Sequence, residues 1–197
     1  LKSYNIILAG VGGQGLVLTT KLICEAAFAY GYDVKSNDVI GLSQRGGKVW
    51  GSVKMSEKVF SPNIPAGEAD ILLALEALEG DRWSTYIKKD GLIIMNTAKI
   101  PPAHVMAEVE EYPQDIEERL AESFNIETMD ASSEGKVLGS DKIANTFLVG
   151  MMAKHMEIPN EIWEEAIKNN VPSKYLYMNL RAFEIGYGRY AVNHTCD

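Results

Sequence analysis

The stretch YNIILAGVGGQG at residues 4–15 restricts the fold more than any other part of the chain. Its apolar run over residues 5–9 is short, rich in Ile and Leu, and ends in glycine, which is the pattern of a buried central strand. Gly10, Gly12 and Gly15 stand at the spacing G-x-G-x-x-G, with Gly13 and Gln14 among them, and an apolar helical pattern begins directly after Gly15. Strand, glycine turn and helix in that order form the setting in which this spacing points to phosphate binding. Glycines allow a positive φ and let an anion approach the backbone, while the helix start offers N–H donors and the positive end of its dipole. The same residues also describe a tight strand-to-helix turn with no ligand, and both readings stand at this point.

After the turn, Leu18, Leu22, Ala26 and Tyr30, with Ile23 and Ala27 beside them, make a helical stripe that stops at Gly31. A second strand is expected over 32–36, closing one βαβ unit across 5–36. A nicotinamide-binding domain would place an acid at the end of that strand for the ribose hydroxyls. Asp33 lies near its start and Asp38 beyond its end, which disfavours a dehydrogenase. The loop NDVIGLSQRGG at 37–47 gathers Ser43, Gln44, Arg45, Gly46 and Gly47. A planar cation, an amide and backbone N–H groups together suit phosphate or carboxylate, although a plain connection with a solvated arginine has the same composition. Residues 48–55 (KVWGSVKM) alternate, and with 58–60 they are expected to form an antiparallel hairpin at about 48–60.

Residues 69–75 (ADILLAL) read as the third strand, ending at Glu76, with Glu79 three residues on. A helix is expected over 81–89 and a fourth strand over 91–96. Further expectations are a strand at 105–109, a charged helix at 113–123, an edge strand at 126–130, and a loop opening at Asp130. A strongly apolar helix at 141–156 carries Gly150 in its middle, where glycine costs about 1 kcal/mol relative to alanine, so close helix packing is expected there. Two more helices end near 170 and 186, the last presenting Tyr175, Tyr177, Leu180, Phe183 and Tyr187. The expected fold class is α/β: a Rossmann-like, mostly parallel sheet flanked by helices, with the added hairpin, in one domain over 1–190 and a loose tail at 191–197.

A net charge of −8 argues against nonspecific nucleic-acid binding, which needs Lys and Arg to neutralise phosphates. No run approaches the roughly 18 apolar residues of a membrane span and no signal-peptide pattern opens the sequence, so a cytoplasmic location without membrane attachment is expected. The two cysteines, Cys24 and Cys196, cannot supply the thiolates of an iron–sulfur cluster or a Cys-rich zinc site. His104, His155 and His194 have no ligand-like spacing. G-x-S-x-G, HExxH, CxxC and Walker A patterns are missing, as is the Gly-Asp-Gly pattern of a thiamine diphosphate grip. No catalytic residue and no metal ligand is therefore expected on this chain.

Four segments in order, ILAGVGGQG at 7–15, GLSQRGGKV at 41–49, SPNIPAGEADILLALEALE at 61–79 and NTFLVG at 145–150, resemble the gamma-type subunit of 2-oxoacid:ferredoxin oxidoreductases. Within that family the sequence is most similar to the small (beta) subunits of the indolepyruvate enzymes, over roughly 4–187. The resemblance implies a subunit of an enzyme that decarboxylates a 2-oxoacid on thiamine diphosphate, passes electrons through iron–sulfur clusters to ferredoxin and releases an acyl-CoA. It implies that thiamine diphosphate, magnesium and the clusters belong to partner chains, that ferredoxin is reached through the partner, and that this chain is inactive alone. Coenzyme A is then the candidate ligand of the turn: Gly10, Gly12, Gly13 and Gly15 would admit phosphate, with Gln14, Ser43, Gln44 and Arg45 as donors. An apolar C-terminal face would dock a partner, or promote a homodimer in isolation. The competing readings are a freestanding nucleotide-binding or regulatory module and an NAD-dependent dehydrogenase.

Overall fold

The computed structural model describes residues 1–39, 47–99 and 112–188. Among these residues six strands form one sheet: β1 (Tyr4–Val11), β2 (Asp33–Val39), β3 (Lys48–Ser56), β4 (Ala69–Ala74), β5 (Ile87–Asn96) and β6 (Asn125–Met129), in the spatial order β2-β3-β1-β4-β5-β6. The pairs β1–β4, β4–β5 and β5–β6 are parallel, and only β3 runs against its neighbours. β1, β4 and the second half of β5 read as apolar runs because both faces of the sheet are covered there, whereas the edge strand β6 is polar and partly exposed. On one face lie α1 (Leu16–Tyr30) and three helices from the C-terminal half, α5 (Ala144–Ala153), α6 (Asn160–Asn170) and α7 (Ser173–Tyr187); on the other lie α2 (Ala77–Trp83) and α3 (Ile116–Ala121). One more short helix, α4 (Ala131–Val137), follows β6.

The mostly parallel, helix-flanked sheet agrees with the sequence expectation, and the hairpin differs in one arm. β3 pairs with β1 on one side, Ile6 opposite Val53, and with β2 on the other, Val34 opposite Met55. Both its edges are therefore taken, and residues 58–60 have no edge left to join. Side chains hold them instead: Ser56 Oγ accepts from Lys58 N–H at 3.2 Å, and Asp33 Oδ2 accepts from Val59 N–H at 2.8 Å. The insertion of β3 also separates β1 from β2, so the expected βαβ unit joins parallel strands that are not neighbours.

Three helical segments differ from the expectation, two of them through side-chain caps. α2 starts at Ala77 rather than at 81 because Glu76 is its N-cap, accepting from Glu79 N–H at 3.0 Å. Where a loop was expected after Asp130, α4 forms, its Asp130 carboxylate accepting from both the N–H and the hydroxyl of Ser133. The long helix expected from 141 is a 3-10 turn, Asp141–Ile143, followed by α5. The expectation for Gly150 holds: α5 and α7 touch through Gly150 and Gly186 with no room for a side chain between the backbones. In α7 Phe183 is buried, whereas Tyr177 remains three-quarters exposed. The expected strand at 105–109 and the tail lie outside the described residues.

Candidate functional site

The strand order reverses between β1 and β4, which is where open α/β sheets bind ligands, beyond the C-terminal strand ends. A cavity of about 430 Å³ opens there. Its lining includes Gly13, Gln14 and Gly15 after β1, Leu75 after β4, Asn96 at the end of β5, and Lys142 and Asn145 from the C-terminal half. Two of these glycines are there for backbone geometry. Gly13 has φ 101° and Gly15 φ 80°, and Gly15 is the N-cap of α1, so no side chain caps that helix where it meets the cavity. The first-turn amides of α1 and its dipole thus point to a region suited to an anion.

The other residues of the turn are used within the protein. At Gly10 a Cβ would stand 2.9 Å from Gln14 Oε1 and 3.0 Å from Leu75 Cβ, so its role there is close packing. Gly12 N–H donates to the Gly47 carbonyl at 2.8 Å, which brings the end of the second glycine-bearing loop to the first. Gln14 bridges the two strand ends at the reversal, accepting from Val11 N–H and donating to the Leu75 carbonyl, both at 2.7 Å. Ser43, Gln44, Arg45 and Gly46 lie outside the described residues.

Two asparagines at the cavity, Asn96 and Asn145, are legible only in three dimensions. Asn96 Nδ2 donates to Ser132 Oγ at 3.1 Å and to the Leu75 carbonyl at 3.3 Å, while its Oδ1 accepts from Ala131 N–H, tying β4, β5 and α4 together. Asn145 Nδ2 donates to Thr19 Oγ1 at 3.0 Å and to the Gly15 carbonyl at 3.4 Å, and Asn145 Oδ1 is buried without a hydrogen-bond partner among the described residues. Their sequence signals were weak: an Asn closing an apolar strand, and an Asn opening an otherwise apolar helix. Asp33 is anchored to Val59 at the far end of β2 from the cavity, which places it away from any ribose there.

Next to the cavity, Glu76 is fully buried, accepting from the Tyr112 hydroxyl and from Glu79 N–H, and Glu79 pairs with Arg82 at 2.5 Å. Burial pushes the Glu76 carboxyl above its ordinary value of 4.5; the two hydrogen bonds offset part of the rise and the nearby Glu79 adds to it. Burial, then Glu76 itself, pushes Tyr112 up as well. A carboxyl raised on folding stabilises the fold while protonated, and that contribution is lost as pH rises from the unfolded value through the native one. Glu76→Gln is therefore expected to flatten the pH dependence of stability above pH 4.5. Urea midpoints of both proteins from about pH 4 to about pH 8 test this, and parallel curves would refute it.

A model of the family described as pyruvate ferredoxin/flavodoxin oxidoreductase matches residues 5–189. The chain is 35% identical to indolepyruvate oxidoreductase subunit IorB of Thermococcus kodakarensis, over 94% of this chain and 95% of that one. To the subunit of the same name in Archaeoglobus fulgidus it is 36% identical, with 94% of each chain covered. The crystal structure of the keto/oxoacid ferredoxin oxidoreductase gamma subunit from Geobacter sulfurreducens superimposes with a TM-score of 0.70 at 24% identity, covering 94% of this chain and 97% of that one.

Proposed function

The chain belongs to the pyruvate ferredoxin/flavodoxin oxidoreductase family and is a subunit of a 2-oxoacid:ferredoxin oxidoreductase, and from that premise we propose that its glycine turn holds the diphosphate of coenzyme A. One observation carries the reading: two left-handed glycines, Gly13 and Gly15, open the start of a 15-residue helix onto a cavity at the point of strand reversal. The residues fit the group, because a diphosphate needs backbone N–H donors and room where a Cβ would intrude. In this reading thiamine diphosphate, magnesium and the iron–sulfur clusters are held by partner chains, which carry the decarboxylation and the electron path. This chain binds and orients the acyl acceptor, with Arg45 adding a bidentate cation from the neighbouring loop. The substrate follows the relatives named for indolepyruvate, so aryl pyruvates are proposed over pyruvate.

The test uses the enzyme assembled with its partner, purified through a tag on this chain and assayed by 2-oxoacid-dependent dye reduction. Arg45→Ala is expected to raise the apparent KM for coenzyme A about tenfold while kcat at saturation holds. An unchanged KM would remove Arg45 from the site. Recovery of this chain alone, without iron and without activity, would refute the partner assignment.

A further inference from the structure

We propose that Lys142 supplies the cationic contact to a phosphate-bearing ligand in the cavity, with Asn145 as the positioning residue that joins its arm of the site to the glycine turn. This rests on the coenzyme reading above and adds a second half to that site, drawn from the C-terminal part of the chain. The glycine turn offers dipoles but no full charge. Among the described lining residues there is one base, Lys142, and one acid, Asp141, both exposed. Lys142 joins no ion pair among the described residues, and its backbone is set by Ser140 Oγ, which accepts from Lys142 N–H at 3.2 Å.

Asn145 provides the independent observation. The side chain lines the cavity and is 4% exposed. Its two donors hold Thr19 and Gly15, fixing the start of α1 against the start of α5. Its Oδ1 has no partner among the described residues, although a buried unsatisfied acceptor is costly. The carboxamide ties the N-cap glycine to the start of α5, on the same cavity as Lys142. An ammonium next to a helix N-terminus reinforces the same field, and as a compact point charge it suits a phosphoryl oxygen rather than a planar carboxylate.

The test is again made on the assembled enzyme, with inorganic pyrophosphate as a competing probe against coenzyme A. Lys142→Gln is expected to raise the apparent KM for coenzyme A and the Ki of pyrophosphate together, by about tenfold, leaving kcat at saturation unchanged. Lys142→Arg keeps both constants near wild type, and Asp141→Asn lowers both by removing the opposing charge. Pyrophosphate inhibition that is competitive in the wild type but unaltered by Lys142→Gln overturns the proposal while leaving the coenzyme reading intact. An Asp141→Asn enzyme that binds more weakly, as Lys142→Gln does, also overturns it, because the two would then serve the local fold. If pyrophosphate fails to compete in the wild type and Arg45→Ala has no effect, the coenzyme reading itself fails.

Discussion

Gly186→Ala is expected to destabilise the chain by roughly 2–4 kcal/mol. A Cβ at Gly186 would stand 2.0 Å from the Phe147 carbonyl oxygen and 2.8 Å from its carbon, both backbone atoms of the facing helix. At Gly150 it would stand 2.3 Å from the Phe183 carbonyl oxygen. Neither obstacle can change rotamer, so α5 and α7 must move apart and give up contacts made by Phe147 and Phe183, both fully buried. Alanine gains about 1 kcal/mol of helix propensity at such a site. Overpacking against fixed backbone costs ~3 kcal/mol or more, so the clash decides the sign. A net loss of roughly 2–4 kcal/mol lowers Tm by about 5–15 °C in a chain of this size. Calorimetry of Gly150→Ala and Gly186→Ala checks it, and melting within about 2 °C of wild type would show that the interface yields more easily than its geometry indicates.

The second large effect separates ligand binding from strain. Gly13 at φ 101° and Gly31 at φ 106° have nearly the same backbone conformation, and at neither does any described atom lie within 4 Å of where a Cβ would stand. Alanine at either position carries the same left-handed penalty, about 1–2 kcal/mol. They differ in place: Gly13 lines the cavity, whereas Gly31 ends α1. Gly13→Ala and Gly31→Ala should therefore destabilise about equally. Only Gly13→Ala should raise the apparent KM for coenzyme A, by roughly thirtyfold, as the methyl displaces a charged group from its amide donors. Equal KM values in the two variants would mean that the turn does not meet the coenzyme.

Much of the fold can be read from local sequence because its signals are local. β1, β4 and β5 are apolar runs closed by glycine or polar residues, and α1 is bracketed by Gly15 and Gly31. Gly150 announced a close contact, since a glycine inside a helix needs a reason. The errors arose where a distant partner decided the outcome. Residues 58–60 failed to become a strand because β2 had already filled the edge of β3, which no local pattern records. Glu76, read only as the end of a strand, proved to be a helix cap, a role that depends on where the chain turns after β4. The glycine half of the cavity was legible for the same reason as the strands. Lys142 and Asn145 were not, because their importance comes from lying against a turn some 130 residues earlier.

The position of β3 bears on how the polypeptide acquires its shape during synthesis. When the ribosome has released β1, α1 and β2, the two strands cannot hydrogen-bond to each other, because each will pair with β3 and a gap one strand wide lies between them. β1 sits beside β3 on one edge and β4 on the other, so one edge stays unpaired until residue 56 has emerged and the other until residue 74. At a few to about twenty residues per second, that leaves β1 with two open edges, and then with one, for seconds. An early, sticky nascent chain follows from strand order alone, and so does a need for shielding until the fourth strand arrives.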